Sequence, residues 1–252
     1  MVLFDYSREP RSDIAFVDMK SFYASCECIA LGLDPLKTSL CVMSRIENSA
    51  GLILAATPLF KKNFGSQNVS RSYNLPFDVH TRKFNYAAAR KQGLPITADY
   101  VRFIEDAAQK TLLVPPRMNY YIQKNMEIQK IFQDFAAPDD IFPYSIDEGF
   151  LDLTSSINYF IPDQTLDRRT KLDLLAARIQ QAIWKKTGIY ASIGLSNANP
   201  LLAKLALDIE AKHTKKMRVN WSYEDVPSKV WTIPTMTDFW GIGHRTATRL
   251  KK

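Results

Sequence analysis

The run Ile14-Ala-Phe-Val17 is apolar at four successive positions and ends on Asp18. Successive residues of a strand face opposite sides, so four apolar residues in a row describe a strand covered on both faces. Asp18 then stands at that strand's carboxyl end, ahead of a helix predicted over 22–30. Ser39-Leu-Cys-Val-Met43 and Gly51-Leu-Ile-Leu-Ala-Ala56 read as two further strands, with the turn in Asn48-Ser-Ala-Gly51. Pro58 opens a helix, since a proline in the first turn forfeits no hydrogen bond. From 66 to about 111 the pattern weakens among breakers and basic residues, which predicts a small, basic, partly helical subdomain. Ile128, Ile131, Phe132 and Phe135 fall at helical spacing, as do Leu172, Leu175, Ala176, Ile179 and Ile183. Between them Tyr144–Leu153 is strand-like and interrupted by Gly149. The strand Ile189–Leu195 follows, and Asn199-Pro200 supplies cap and first-turn proline for a helix running to about Ala211. Strands alternating with helices predict an α+β or α/β layer, and residues 218–252 read as a separate unit.

The 252 residues carry 33 Lys and Arg against 26 Asp and Glu, a net charge of +7 that favours a polyanionic partner. No apolar run approaches the ~20 residues of a membrane-spanning helix, and charges near the N-terminus break up any secretory leader. Three cysteines, Cys26, Cys28 and Cys41, match neither a disulfide framework nor a four-ligand zinc site, so a reducing cytoplasm is the expected location. His80, His213 and His244 are scattered along the chain.

Asp147 and Glu148 lie between Ile146 and Phe150, so with Asp18 they form three acids at positions where charge is costly unless neutralised. Three carboxylates at one end of a sheet supply the hard oxygen ligands that two divalent cations ~4 Å apart require in phosphoryl transfer. Adjacent strand residues point to opposite faces, so Asp147 and Glu148 can share an ion only at a turn or bulge, which Gly149 would permit. Plainer roles also fit: Asp18 capping the next helix, and Asp147-Glu148 forming a hairpin turn.

Asp18-Met-Lys-Ser-Phe-Tyr-Ala-Ser-Cys-Glu27 and Ser145-Ile-Asp-Glu-Gly-Phe-Leu-Asp152 resemble two signature motifs of the Y-family DNA polymerases. Ala55-Ala-Thr-Pro-Leu-Phe-Lys-Lys-Asn-Phe-Gly65 resembles the family's fingers motif, with Leu59 and Phe60 in place of its aromatic and acidic pair. Ser192–Ala206 resembles the motif closing the palm, and the branch looks UmuC-like. The resemblance implies an α+β fold: a palm of mixed β-sheet backed by helices over 1–21 and 113–218, and a small α/β fingers subdomain over 22–112. A partial helical thumb would occupy 219–252, with a helix-hairpin-helix-like turn and without the little-finger domain.

By match, Asp18, Asp147, Glu148 and the backbone carbonyl of Met19 would hold two Mg²⁺. Tyr23 takes the place of the steric gate that rejects a ribose 2′-hydroxyl, with Phe22 packed beside it; outside the motif Tyr23 reads as an inward-facing aromatic. Thr57, Lys62 and Lys212 would contact the nucleotide, Lys212 standing one residue farther from Lys204 than in many relatives. Gly241, Gly243, His244 and Arg245 would bind a DNA phosphate through backbone N–H groups at a helix start. The basic stretch Lys204–Arg218 would track the duplex. The implied function is lesion-bypass DNA synthesis in repair and SOS damage tolerance. Its implied partners are primer-template DNA, deoxynucleoside triphosphates, and a sliding clamp or accessory subunits, with no membrane. The competing expectation is a truncated, non-catalytic DNA- or protein-binding remnant.

Overall fold

The structure is a computed structural model that describes residues 5–46, 50–65 and 70–251. Asn48 and Ser49 of the expected turn, and residues 66–69 of the weakly patterned stretch, lie outside the described residues. In chain order the strands are β1 (Ile14–Met19), β2 (Leu40–Met43), β3 (Ile53–Ala56), β4 (Leu112–Val114), β5 (Ile141–Pro143), β6 (Glu148–Asp152), β7 (Ala191–Ser196) and β8 (Arg218–Asn220). The helices are α1 (Phe22–Ala30), α2 (Pro58–Phe64), α3 (Tyr86–Gln92), α4 (Ala98–Gln109), α5 (Met118–Phe132), α6 (Ile157–Phe160), α7 (Arg168–Thr187), α8 (Pro200–Ile209) and α9 (His244–Leu250). The chain divides into two compact units: one formed up to Met19 and from Asn125 onward, the other by Lys20–Lys124. The sequence had suggested divisions at 21 and 112 and a separate C-terminal piece. Here residues 219–251 group with the first unit, because Trp221 is buried against Leu205 and Ala206 of α8.

The first unit is built on a mixed sheet ordered β5-β6-β1-β7-β8. β1 pairs antiparallel with both β6 and β7, while β7 and β8 run parallel. Ile14 and Phe16 face α8 and form a core with Ala203, Leu207 and Ala211. Gly194 stands opposite Phe16 in register. A Cβ at 194 would collide with the Ala203 carbonyl oxygen, the Leu207 backbone nitrogen and the Leu207 side chain, so glycine is what lets α8 lie directly on the sheet. Ala15, Val17, Ile193 and Leu195 point the other way by strand alternation and are equally buried. α7 packs against β7 and buries Leu172, Leu175, Ala176, Ile179 and Ile183, the residues picked out by helical spacing. Both helix starts are capped as sequence chemistry dictates: Asp167 accepts from the Thr170 N–H (2.7 Å) and Asn199 from the Leu202 N–H (2.9 Å).

The second unit has a three-stranded sheet, β3-β2-β4, in which β2 pairs antiparallel with β3 and parallel with β4. Its main core joins Met43, Ile53, Phe60, Phe64, Leu75, Phe77, Phe84 and Ile104. The weakly patterned stretch contains α3 and α4. α4 is capped by Thr97 and buries only Ile104 and Ala108, which is why its apolar signal is faint in the sequence. No helix among the described residues is long and apolar enough to cross a membrane.

All three cysteines are buried. Burial, with the charges of Asp34 and Glu27 adding to it, pushes the Cys28 thiol up to about 11, and burial pushes Cys41 up to about 12. A thiolate is the reactive form, so alkylation of the folded chain at mild pH should reach less than about a tenth of the extent seen after denaturation in the same time. Rapid labelling of the native protein would contradict that. Gly194→Ala should lower stability by about 1–3 kcal/mol through overpacking, read as a lower denaturant midpoint at unchanged slope. An unchanged midpoint would mean that α8 does not sit this close to the sheet.

Candidate active site

The β1–β6 register sets Asp18 directly opposite Glu148, on the same face as Phe16 and Phe150. That face lies under α8, which carries Lys204 and Asp208 one turn apart. The Lys204 ammonium donates to Glu148 Oε1 (2.9 Å) and to Asp208 Oδ1 (3.2 Å). It also lies 5.0 Å from the centre of the Phe16 ring. With only 6% of its side chain exposed, Lys204 is a buried cation rather than a basic residue facing a duplex, which corrects the sequence reading of the Lys204–Arg218 stretch. Arg218, at the other end, is held by Asp173 at 2.9 Å.

α8 stops at Ile209 and is followed by a short 3-10 turn, Ala211–His213. The Lys212 Nζ lies 2.9 Å from Asp208, 3.1 Å from Asp18 and 3.5 Å from Glu148. Asp208 therefore binds both lysines, and the lysines meet both acids.

Asp147 precedes β6 in the hairpin loop leaving β5. The Tyr144 and Ser145 N–H groups both donate to the Glu148 carbonyl at 2.9 Å, and Met19 N–H donates to the Asp147 carbonyl at 2.9 Å. The turn that separates Asp147 from Glu148 thus lies at 144–147, not at Gly149. Gly149 is a regular strand residue paired with Val17 and Pro143. A Cβ there would press on the Phe142 carbonyl oxygen at 3.1 Å, so what needs a glycine is the close approach of β5. The Asp147 carboxylate accepts from Ser145 Oγ at 2.8 Å. The helix after Asp18 begins at Ser21 without a side-chain cap, so Asp18 is not its cap.

The Asp18 and Glu148 carboxyl groups are hydrogen-bonded to each other. Burial holds Asp18 well above the usual carboxylate range, against the pull of Lys212. Burial also pushes Glu148 up, but the hydrogen bonds from Asp18 and Lys204 and the charges of both lysines outweigh it and leave it lowered. Asp147 is raised, first by burial and then by the charge of Glu148, with Ser145 opposing. Burial would lower Lys212, yet Asp18 and Asp208 more than offset it and hold the ammonium form firmly. Among the described residues no three His, Cys, Asp or Glu side chains are arranged to hold one ion, since Asp147 is turned to Ser145. The donor chemistry nonetheless fits a hard divalent cation: carboxylates alone, partly withdrawn from water, with acids outnumbering the lysines.

Tyr23, Phe22, Thr57 and Lys62 all belong to the second unit. Phe22 is buried and tilts against Tyr23 with ring centres 5.8 Å apart. Tyr23 stacks on Tyr121, ring centres 4.4 Å apart and planes 14° from parallel. Thr57 is fully buried as the cap of α2; its hydroxyl accepts from Leu40 N–H (3.0 Å) and Phe60 N–H (3.4 Å). Lys62 is exposed in the last turn of α2. In the first unit Gly241 has φ +82° and Gly243 precedes α9, whose start carries no side-chain cap. His244 and Arg245 are exposed there.

Sequence reasoning missed the roles of Lys204 and Asp208 at this site. Their signal was the four-residue spacing of Lys204 and Asp208, which puts opposite charges on one face of α8, with Lys212 four residues further along the chain.

Residues 17–208 match the impB/mucB/samB family. The chain is 33% identical over 250 residues to the putative UV-damage repair protein UvrX of Bacillus subtilis (strain 168), which covers 99% of this chain and 49% of that protein. It is 29% identical to DNA polymerase IV 2 of the same organism, covering 95% of this chain and 47% of the relative. The chain thus spans about half the length of the curated relatives it matches. Among solved structures, an insertion ternary complex of Dbh DNA polymerase superposes with a TM-score of 0.64 at 22% identity, over 95% of this chain and 57% of that one.

Truncating one partner of a buried ion pair strands the other, so Lys204→Met should cost about 3–5 kcal/mol in denaturant unfolding. Adding Glu148→Gln to that variant should recover at least about 1 kcal/mol, because the stranded charge is then removed. A strictly additive double variant would show that the two side chains do not share a pair.

Proposed function

We propose, for a chain that belongs to the impB/mucB/samB family of Y-family DNA polymerases, that it carries the catalytic centre of a damage-tolerant DNA-directed DNA polymerase. The observation that carries this reading is the Asp18–Glu148 pair, set in register and bracketed by Lys204 and Lys212. The first unit would act as palm with the start of a thumb, and the second as fingers.

Asp18, Asp147, Glu148 and the Met19 carbonyl would hold two Mg²⁺. When bound, such ions favour the alkoxide of the primer 3′-hydroxyl and offset charge on the triphosphate during attack at the α-phosphate. The chain's own contribution is to keep the carboxylates gathered and partly withdrawn from water. The β1–β6 register fixes two of them, and the bond from Met19 N–H to the Asp147 carbonyl ties the third residue's backbone to the end of β1. Glu148 would face the primer hydroxyl and take its proton. Lys212, with Lys62 from the fingers, would receive the negative charge that develops on the departing pyrophosphate.

Tyr23 follows Asp18 by one short segment of chain and would lie under the incoming sugar, excluding a 2′-hydroxyl, with Phe22 supporting its flank. Thr57 would act by shaping the start of α2 rather than through its hydroxyl, which the backbone already uses. The uncapped N–H groups after Gly243, with His244 and Arg245, would hold a phosphate of the primer-template backbone without reading bases.

Primer extension with magnesium tests the reading. The full polypeptide should incorporate deoxynucleotides opposite a template, and Asp147→Ala should reduce the rate by at least about a hundredfold, a loss of ~2.7 kcal/mol in transition-state stabilisation. Extension that survives Asp147→Ala would sink it. In the same assay Tyr23→Ala should raise incorporation of ribonucleotides relative to deoxynucleotides.

A further inference from the structure

Glu27, nine residues after Asp18, is a carboxylate with 5% of its surface exposed and is unused by the reaction described above. Arg117 forks onto it, Nε donating to Oε1 (3.0 Å) and Oε2 (3.1 Å), and Nη2 donating to Oε2 (2.7 Å). The Tyr121 hydroxyl donates to Oε1 at 2.7 Å. Tyr121 is fully buried, and its ring is the one stacked on Tyr23.

The spacing explains the arrangement. Tyr23 and Glu27 are four residues apart on α1, so they share a face. Arg117, which accepts the first N–H bonds of α5, and Tyr121 are again four apart. Two helices thus meet through a square of side chains, ring on ring at one end and acid on guanidinium at the other, with the Tyr121 hydroxyl joining the ends. Burial raises Tyr121 above the ordinary phenol value, so it remains a donor. No member of the square is a spare surface charge.

We propose that Tyr121 is the positioning residue of the sugar gate, its ring backing Tyr23 and being held in place by Glu27 and Arg117. This rests on the reading of Tyr23 as the gate. A gate excludes a hydroxyl by overlap, and overlap costs energy only if the ring cannot turn aside. A tyrosine with open space behind it has other rotamers to adopt. Tyr23 cannot retreat, because a buried ring lies parallel to it at van der Waals distance. That ring is in turn fixed by a hydrogen bond to an acid clamped by a bidentate arginine, the form of ion pair with the most defined geometry. Selectivity for the deoxy sugar would therefore depend on residues that never touch the nucleotide.

The test is the ratio of kcat/KM for a deoxynucleotide to that for the ribonucleotide of the same base, in the full polypeptide. Tyr121→Leu, which removes the backing ring, should lower the ratio by about tenfold or more, through a lower KM for the ribonucleotide and with deoxynucleotide kcat largely retained. Tyr121→Phe, which keeps the ring, should hold most of the ratio. Arg117→Met, whose side chain is half-exposed and whose loss leaves the buried Glu27 with the Tyr121 hydroxyl alone, should lower it by a smaller factor, together with some loss of stability. A purely structural role would depress both substrates alike and leave the ratio where it was. That result in Arg117→Met and in a folded Tyr121→Leu overturns the proposal; if Tyr121→Leu does not fold, Arg117→Met alone decides. Where turnover is slow, the same comparison is made with the affinities of dATP and ATP by titration calorimetry. Tyr23→Ala separates the two claims. An unchanged ratio there removes the gate itself, whereas a collapsed ratio there with normal ratios in Tyr121→Leu and Arg117→Met removes only the backing role.

Discussion

The ammonium group of Lys204 is the interaction on which the acidic site depends. Two carboxyl groups face each other across β1 and β6 in a part of the sheet covered by a helix, where an uncompensated charge would cost several kcal/mol. Lys204 supplies the opposite charge from within that cover. Its stem runs through the apolar layer, and its head rests over the Phe16 ring while contacting Glu148 and Asp208. The contact is possible only because α8 lies against β7, and α8 lies there only because residue 194 has no side chain. The chain of dependence therefore runs from one glycine to one helix position, to one lysine, and then to the ionisation of Glu148.

The second unit solves the same problem with different chemistry. Glu27 is as buried as Lys204, yet it is met by an arginine fork and a phenol rather than by lysine. A guanidinium fixes both distance and orientation, whereas an ammonium is a compact charge that bonds in several directions. The distinction suits the two places. Around Asp18 and Glu148 the lysines already share their partners among three acids, an arrangement that tolerates exchange when another cation or a phosphate arrives. Around Glu27 the three bonds from Arg117 leave one geometry, which suits a clamp whose purpose is to keep a ring still.

The acids were legible in the sequence because charge beside apolar strand residues is conspicuous, and α7 was legible because five apolar residues keep helical spacing. β4, β5 and β8 were not, since each is three residues long and none alternates. Gly149 drew attention as a turn former, but a glycine admitted for close backbone approach looks identical in sequence; only the pairing with Pro143 separates the two. α5 was recognised from Ile128 onward, and its first ten residues, which carry Tyr121, stayed hidden because their polar and aromatic residues follow no apolar stripe. Lys204 reads in the sequence as the start of a basic stretch that tracks a duplex. Nothing local distinguishes a lysine whose head is buried from one whose head is wet, because the difference is made by Glu148, which reaches it through the sheet.

The charge pattern has opposite signs at two length scales. The chain carries +7 overall, a field that attracts polyanions over distances set by the ionic atmosphere, about 8–10 Å at physiological salt. At close range Asp18, Glu148 and Asp208 meet Lys204 and Lys212, with Asp147 beside them, so the immediate site holds more acids than lysines. A uniformly basic surface would draw a nucleic acid to the acids' position and leave no room for the ions that offset its phosphates. A uniformly acidic one would repel it. Four carboxylates set against two lysines leave the local excess negative.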